Sequence, residues 1–103
     1  MANIPVNQEQ IADFCHKHGI RRLSFFGSVL RPDFRPDSDV DVLVEFDPQR
    51  KPSLLDLVRM QNELEHILGR PVDLVEYSSI EQSRNYLRRR EILNHLEVAY
   101  AAG

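Results

Sequence analysis

Residues 38–48 read Ser38-Asp39-Val40-Asp41-Val42-Leu43-Val44-Glu45-Phe46-Asp47-Pro48, and the fold is decided there. Val40 to Phe46 is the clearest strand in the chain: it is short, rich in β-branched residues and stopped by Asp47-Pro48. Aspartate is a poor strand former, yet Asp39 and Asp41 open this strand. Strand side chains alternate between faces, so the two carboxylates share one side, with Cα atoms roughly 6.5 to 7 Å apart. Val40, Val42, Val44 and Phe46 take the other side, which places that side against the core.

Working outward, the local signals predict six elements. A helix starts after the N-cap Asn7, buries Ile11, Phe14 and Cys15, and stops at Gly19. A buried strand runs from Arg22 to Phe26 and ends at Gly27. Residues 28–38 carry Pro32 and Pro36 and read as loop. After the polar linker Gln49 to Pro52, Ser53-Leu54-Leu55-Asp56 matches a capping box. The helix it opens has Leu54, Leu57, Val58, Leu64, Ile67 and Leu68 at helical spacing and closes at Gly69. Pro71 to Tyr77 is another short strand. From about Ser79 the pattern returns to helix, with Ile80, Tyr86, Leu87, Ile92, Leu93, Leu96 and Tyr100 as its apolar stripe and a frayed Ala101-Ala102-Gly103 end. This order predicts an α/β (α+β) protein in which a small sheet carries helices packed against it. The ten-residue gap between the first two strands allows a long hairpin or a crossover.

Composition bounds the function. A chain of 103 residues with 42% hydrophobic and 28% charged residues suits one small globular domain, here expected over residues 1–103. Lys and Arg number 13 against 16 Asp and Glu, for a formal charge of −3. That balance offers no footprint for sequence-independent nucleic-acid binding. The single cysteine, Cys15, excludes an internal disulfide and a multi-cysteine zinc site. No apolar signal region opens the chain, and no apolar run approaches the ~20 residues needed to span a bilayer. A cytoplasmic location with neither membrane nor nucleic acid as direct partner is expected.

Two neighbouring carboxylates repel, and if partly desolvated they need a cation or a shared proton. A hard divalent ion with oxygen ligands, Mg²⁺ or Mn²⁺, suits them. Two such ions ~3.5 to 4 Å apart are the usual arrangement for in-line attack at phosphorus. The plain alternative is a solvated strand edge. A calcium loop beginning at Asp37 is excluded, because Val42 stands where glycine is required and Pro48 where glutamate is. Asp73 repeats the anomaly inside the apolar run Val72-Asp73-Leu74-Val75; it joins the first two if its strand pairs beside Val40 to Phe46, and otherwise lies on an exposed edge. Gly27-Ser28 ends a strand and opens a turn, where glycine permits close backbone approach and N–H groups with a hydroxyl can hold an anion.

Gly27-Ser28, ten intervening residues, Asp39-Val40-Asp41 and a lone strand aspartate, Asp73, together resemble the active-site signature of the DNA polymerase β-like nucleotidyltransferases. The chain is most similar to the minimal nucleotidyltransferases, the MntA-type antitoxins of HEPN/MNT toxin–antitoxin pairs. That resemblance implies the polymerase β-like fold with a small mixed sheet. It also implies Gly27 and Ser28 on the triphosphate, and Asp39, Asp41 and Asp73 as catalytic residues holding two Mg²⁺ or Mn²⁺ ions, with Asp73 helping to deprotonate the acceptor. The implied reaction moves a nucleoside monophosphate, AMP from ATP, onto a hydroxyl of a partner protein, a HEPN-type RNase toxin. The alternative within this reading is an antitoxin that neutralises its partner by binding alone, and homo- or hetero-oligomers are both compatible with it. The sequence departs from relatives after Gly27-Ser28, where Val29-Leu30-Arg31-Pro32-Asp33 replaces a frequent Arg-Gly. No second domain able to hold a drug, a tRNA or a primer is visible, which favours a protein acceptor.

Arg84, Arg88, Arg89 and Arg90 form a basic cluster, read as a solvated helix face or a docking surface. Arg31 and Arg35 lie between the ligand groups, as phosphate contacts or plain surface. His16, His18, His66 and His95 lack metal-ligand spacing and read as helix-surface residues. Cys15 reads as a core thiol, and Tyr77, Tyr86 and Tyr100 as core or interface packing residues, with a self-modification site among them as the alternative.

Overall fold

A computed structural model describes residues 6–32, 35, 38–81, 90, 92 and 94–102. Helix α1 spans Gln8–His18; the Asn7 side chain accepts the Gln10 N–H at 3.1 Å, and Gly19 ends the helix in the left-handed conformation. Ile11, Phe14 and Cys15 are its buried residues, as their spacing predicts. Strand β1 runs Ile20–Phe26, two residues longer at its start than the sequence suggests, and a 3₁₀ turn covers Gly27–Leu30. Strand β2 is Val40–Phe46.

Helix α2, Leu54–Leu68, opens on the expected capping box: Asp56 N–H donates to Ser53 Oγ at 3.1 Å, and Ser53 N–H donates to Asp56 Oδ2 at 2.9 Å. The hydrogen bond from the Ser53 backbone is the main reason the exposed Asp56 carboxyl titrates below its ordinary value. Met60, Leu64 and Leu68 are the residues α2 buries. Leu54 and Val58, expected on the apolar stripe, are instead exposed, because the stripe that meets the sheet is centred one helical step round from them.

Strand β3 is Val72–Glu76 and helix α3 is Tyr77–Glu81. The final helix expected from Ser79 to Tyr100 does not reach that far. Arg90, Ile92 and Asn94 are helical, but Glu97–Ala101 forms strand β4. It pairs antiparallel with β1, Leu23 opposite Tyr100 and Phe25 opposite Glu97. Ala102 N–H donates to Arg21 O at 2.8 Å, so Ala101 and Ala102 are held rather than frayed. Leu96 and Tyr100 fit helical and extended spacing equally, and the open edge of β1 settles the choice. Tyr86, Leu87, Leu93 and the arginines 84, 88 and 89 lie outside the described residues.

The sheet order is β3-β2-β1-β4. β1 and β2 are antiparallel, β2 and β3 parallel, so the sheet is mixed and the link between β1 and β2 is a long hairpin. Parallel neighbours require a crossover, and α2 supplies it. On one face Leu23, Phe25, Val40, Val42 and Val44 pack with Ile11, Phe14, Met60 and Leu64 into the main core. On the other, Phe26 and Leu43 pack with Val75, Tyr77, Ile92 and Leu96. At the β3 edge, Val72 N–H donates to Glu65 Oε2 at 2.9 Å and Leu74 N–H to Gln61 Oε1 at 3.3 Å. The side chains of α2 thereby occupy edge groups that would otherwise offer a template for another strand. No helix among the described residues is long and apolar enough to cross a membrane.

Candidate active site

The register sets the site. Phe26 stands opposite Asp41 across β1 and β2, and Asp41 stands opposite Asp73 across β2 and β3. Opposed residues point to the same side of a sheet, so Asp41 and Asp73 are neighbours on the face away from α1 and α2. Asp39 precedes β2 by one residue and lies on the same side of the chain by the two-residue period. Asp39 and Asp73 are exposed and Asp41 is half-buried. The structure thus brings together the β2 and β3 anomalies: both carboxylates belong to one patch at the end of the sheet where β1 finishes and β2 and β3 begin.

Adjacent strands lie about 4.8 Å apart. Two full charges at that separation repel by about 1 kcal/mol in water and a few kcal/mol near a protein surface. Like charges directly opposite destabilise a sheet; packing therefore gives no reason to keep this pair.

Gly27 closes the patch from the β1 side. Its φ is +76°, and a Cβ built on it would overlap the Oδ2 of Asp41. Any side chain here would both strain the backbone and displace the carboxylate. The turn that follows, Gly27–Leu30, is anchored by the fully buried Val29, which holds the backbone of the turn beside Asp41. The Ser28 side chain lies outside the described residues.

The donor set is all oxygen, which suits a hard divalent cation and not a soft one. Among the described residues no three His, Cys, Asp or Glu side chains converge on a single point. Asp39 and Asp73 are open to solvent, and the oxygen chemistry of the three side chains is of the kind such a cation takes. His18 is engaged elsewhere: it pairs with Glu63 at 2.5 Å and stacks against Phe14. Sequence reasoning did not anticipate the steric coupling of Gly27 to Asp41; a Gly-Ser turn alone is too common to reveal it.

A mixed sheet with paired acidic strands at one end and a glycine turn against them defines a polymerase β-like nucleotidyltransferase fold. The model of the nucleotidyltransferase domain matches residues 8–98, and the chain belongs to that family. It is 46% identical over 78 residues to a Methanocaldococcus jannaschii chain provisionally named a protein adenylyltransferase, covering 76% of this chain and 82% of that one. It is 39% identical over 77 residues to the protein adenylyltransferase MntA of Thermococcus cleftensis, covering 75% and 76%. A solved minimal nucleotidyltransferase, itself provisionally assigned, superposes with a TM-score of 0.67 at 36% identity, covering 87% of this chain and 86% of that one. A complex of a tri-AMPylated Shewanella oneidensis HEPN toxin with its MNT antitoxin gives a TM-score of 0.61 at 14% identity, covering 92% and 70%, a likeness of fold.

Proposed function

We propose that this protein is a protein adenylyltransferase that transfers AMP from ATP to a hydroxyl of a partner protein. The partner is a HEPN-type toxin, which the modification silences. The observation that carries this reading is the register of Asp41 against Asp73, with Gly27 pressed on the Asp41 carboxylate. The relatives named as protein adenylyltransferases, and the AMPylated toxin in the fold neighbour, support the choice of nucleotide and acceptor. The whole chain, residues 1–103, acts as one nucleotidyltransferase domain, and it works in the cytoplasm.

Asp39, Asp41 and Asp73 would hold two divalent ions, Mg²⁺ or Mn²⁺. When bound, the ions neutralise triphosphate charge and favour ionisation of the acceptor hydroxyl. Gly27 leaves the backbone of its turn open to the triphosphate, and the Ser28 hydroxyl adds a donor. In the reaction the acceptor oxygen attacks the α-phosphorus of ATP. A new O–P bond forms, the bond from the α-phosphorus to the bridging α–β oxygen breaks, and pyrophosphate leaves. Asp73 takes the acceptor proton. Asp41, fixed between the glycine turn and β3, keeps the attacking and leaving groups in line.

The test is incubation with α-labelled ATP, Mg²⁺ and the product of the adjacent open reading frame, expected to be a HEPN-type protein. The wild type labels the partner and releases pyrophosphate. Asp39→Asn with Asp41→Asn reduces labelling by at least 10²-fold, the size expected when charge stabilisation is removed from a phosphoryl site. Equal labelling by that variant overturns the assignment.

A further inference from the structure

We propose that the N-terminal half of α2 and the loop before it form a docking surface for the partner protein, and that the partner's contacting segment is apolar with a rim of carboxylates. This rests on the reading of a protein partner given above. Three large apolar residues at the start of α2 are open to solvent: Leu54 is 79% exposed, Leu55 58% and Val58 48%. Single exposed leucines are ordinary, but a contiguous group marks an interaction surface. Leu55 and Arg59 are four residues apart and so neighbours on the helix. Beyond Arg59 lies a cleft of about 460 Å³, which Arg50 and Lys51 also line.

The charges of this cleft do not balance. Of its carboxylates, Asp56 accepts the Ser53 N–H, and Glu63 is held by Lys17 at 2.7 Å and His18 at 2.5 Å. Burial pushes the Glu63 carboxyl up, but the hydrogen bonds and charges of Lys17 and His18 outweigh it and leave the group below its ordinary range. Glu63 is thus engaged, whereas Asp56 keeps its charge, and the Arg59 guanidinium acts on it electrostatically. Arg50, Lys51 and Arg59 make no ion pair among the described residues. Arg50 is also held in place: its side chain lies across Gly19, where a Cβ would meet Arg50 Nε and Cγ. The surplus of Arg50 and Lys51 beside leucines, in a chain of net charge −3, calls for a ligand that is acidic and apolar at once. A free phosphate would leave the leucines uncovered, and an RNA would find no aromatic stacking platform there.

The topology separates this surface from the acidic patch. α2 runs back along the sheet from the end of β2 to the start of β3, on the opposite face from Asp41 and Asp73. Leu55 and Leu68 are about 20 Å apart along the helix axis. Docking and chemistry therefore use different parts of the molecule, and affinity is separable from turnover.

The test measures binding of that adjacent open reading frame's product by calorimetry, and AMP transfer at saturating partner. Two variants attack the surface independently: Leu55→Ser with Val58→Ser, and Lys51→Glu with Arg59→Glu. Melting curves establish that each is folded. Each raises Kd at least tenfold, while transfer at saturation stays within twofold of wild type. Raising salt weakens the wild-type complex but not that of the charge-reversed variant. Wild-type Kd in both variants overturns the proposal, as does a wild-type homodimer that Leu55→Ser with Val58→Ser dissociates. Weakened binding in a system whose wild type transfers no label supports the docking surface while rejecting the adenylyltransferase reading.

Discussion

Gly27 and Asp73 make opposite demands on stability, and that contrast is a signature of a functional patch. Gly27→Ala places a Cβ on the Asp41 carboxylate at a φ of +76°. It is expected to destabilise the fold by at least the ~1 to 2 kcal/mol of a left-handed non-glycine residue and to reduce AMP transfer more than tenfold. Asp73→Asn removes a charge opposed to Asp41. It is expected to leave the fold as stable or about 0.5 kcal/mol more so, while transfer is lost. Urea midpoints and the labelling assay read both; a lowered midpoint in Asp73→Asn contradicts the account of the pair. Cys15 belongs to the structural side. Burial pushes its thiol from 9.0 up to about 12, so the folded protein keeps the proton. The stability this gives is complete below the ordinary pKa and is lost as pH rises toward 12. At pH 8 a thiol reagent such as DTNB is expected to leave the native protein unmodified and to react at once in denaturant.

Among the elements, α1 and α2 were legible because their ends are local. Asn7, Gly19, Ser53 and Asp56 satisfy the orphan backbone groups of their own helices, so no distant residue is needed to place them. Ser53→Ala is expected to lower stability by about 1 kcal/mol, seen as a shifted urea midpoint at unchanged m. β2 was legible through its two-residue period, including which face its valines and its aspartates take. β4 was not. Glu97–Ala101 has no cap, turn or strict alternation of its own, and only the unpaired edge of β1 makes it a strand. The site divides in the same way. Asp39 and Asp41 stand out locally, whereas the placement of Asp73 depends on β3 pairing parallel with β2 in one register. The contact between Gly27 and Asp41 belongs to the hairpin and has no signature in either segment. The exposure of Leu54 and Val58 is likewise a matter of how α2 is rotated on the sheet.

At the scale of the molecule, one sheet face carries the main core and the other carries the acidic pair Asp41 and Asp73. The crossover helix links the two ends: its N-terminus bears the exposed leucines and follows the loop of Arg50 and Lys51, and its C-terminus leads into the strand that brings Asp73 to Asp41. In the proposed reaction the three carboxylates from β2, its approach and β3 act as one cation site. Counting Mn²⁺ ions bound per chain by electron paramagnetic resonance, with a non-hydrolysable ATP analogue present, tests it most directly. Two ions are expected on the wild type, and none retained when Asp39, Asp41 and Asp73 are all replaced by asparagine. Undiminished binding in that folded triple variant, or no binding to the wild type, contradicts it.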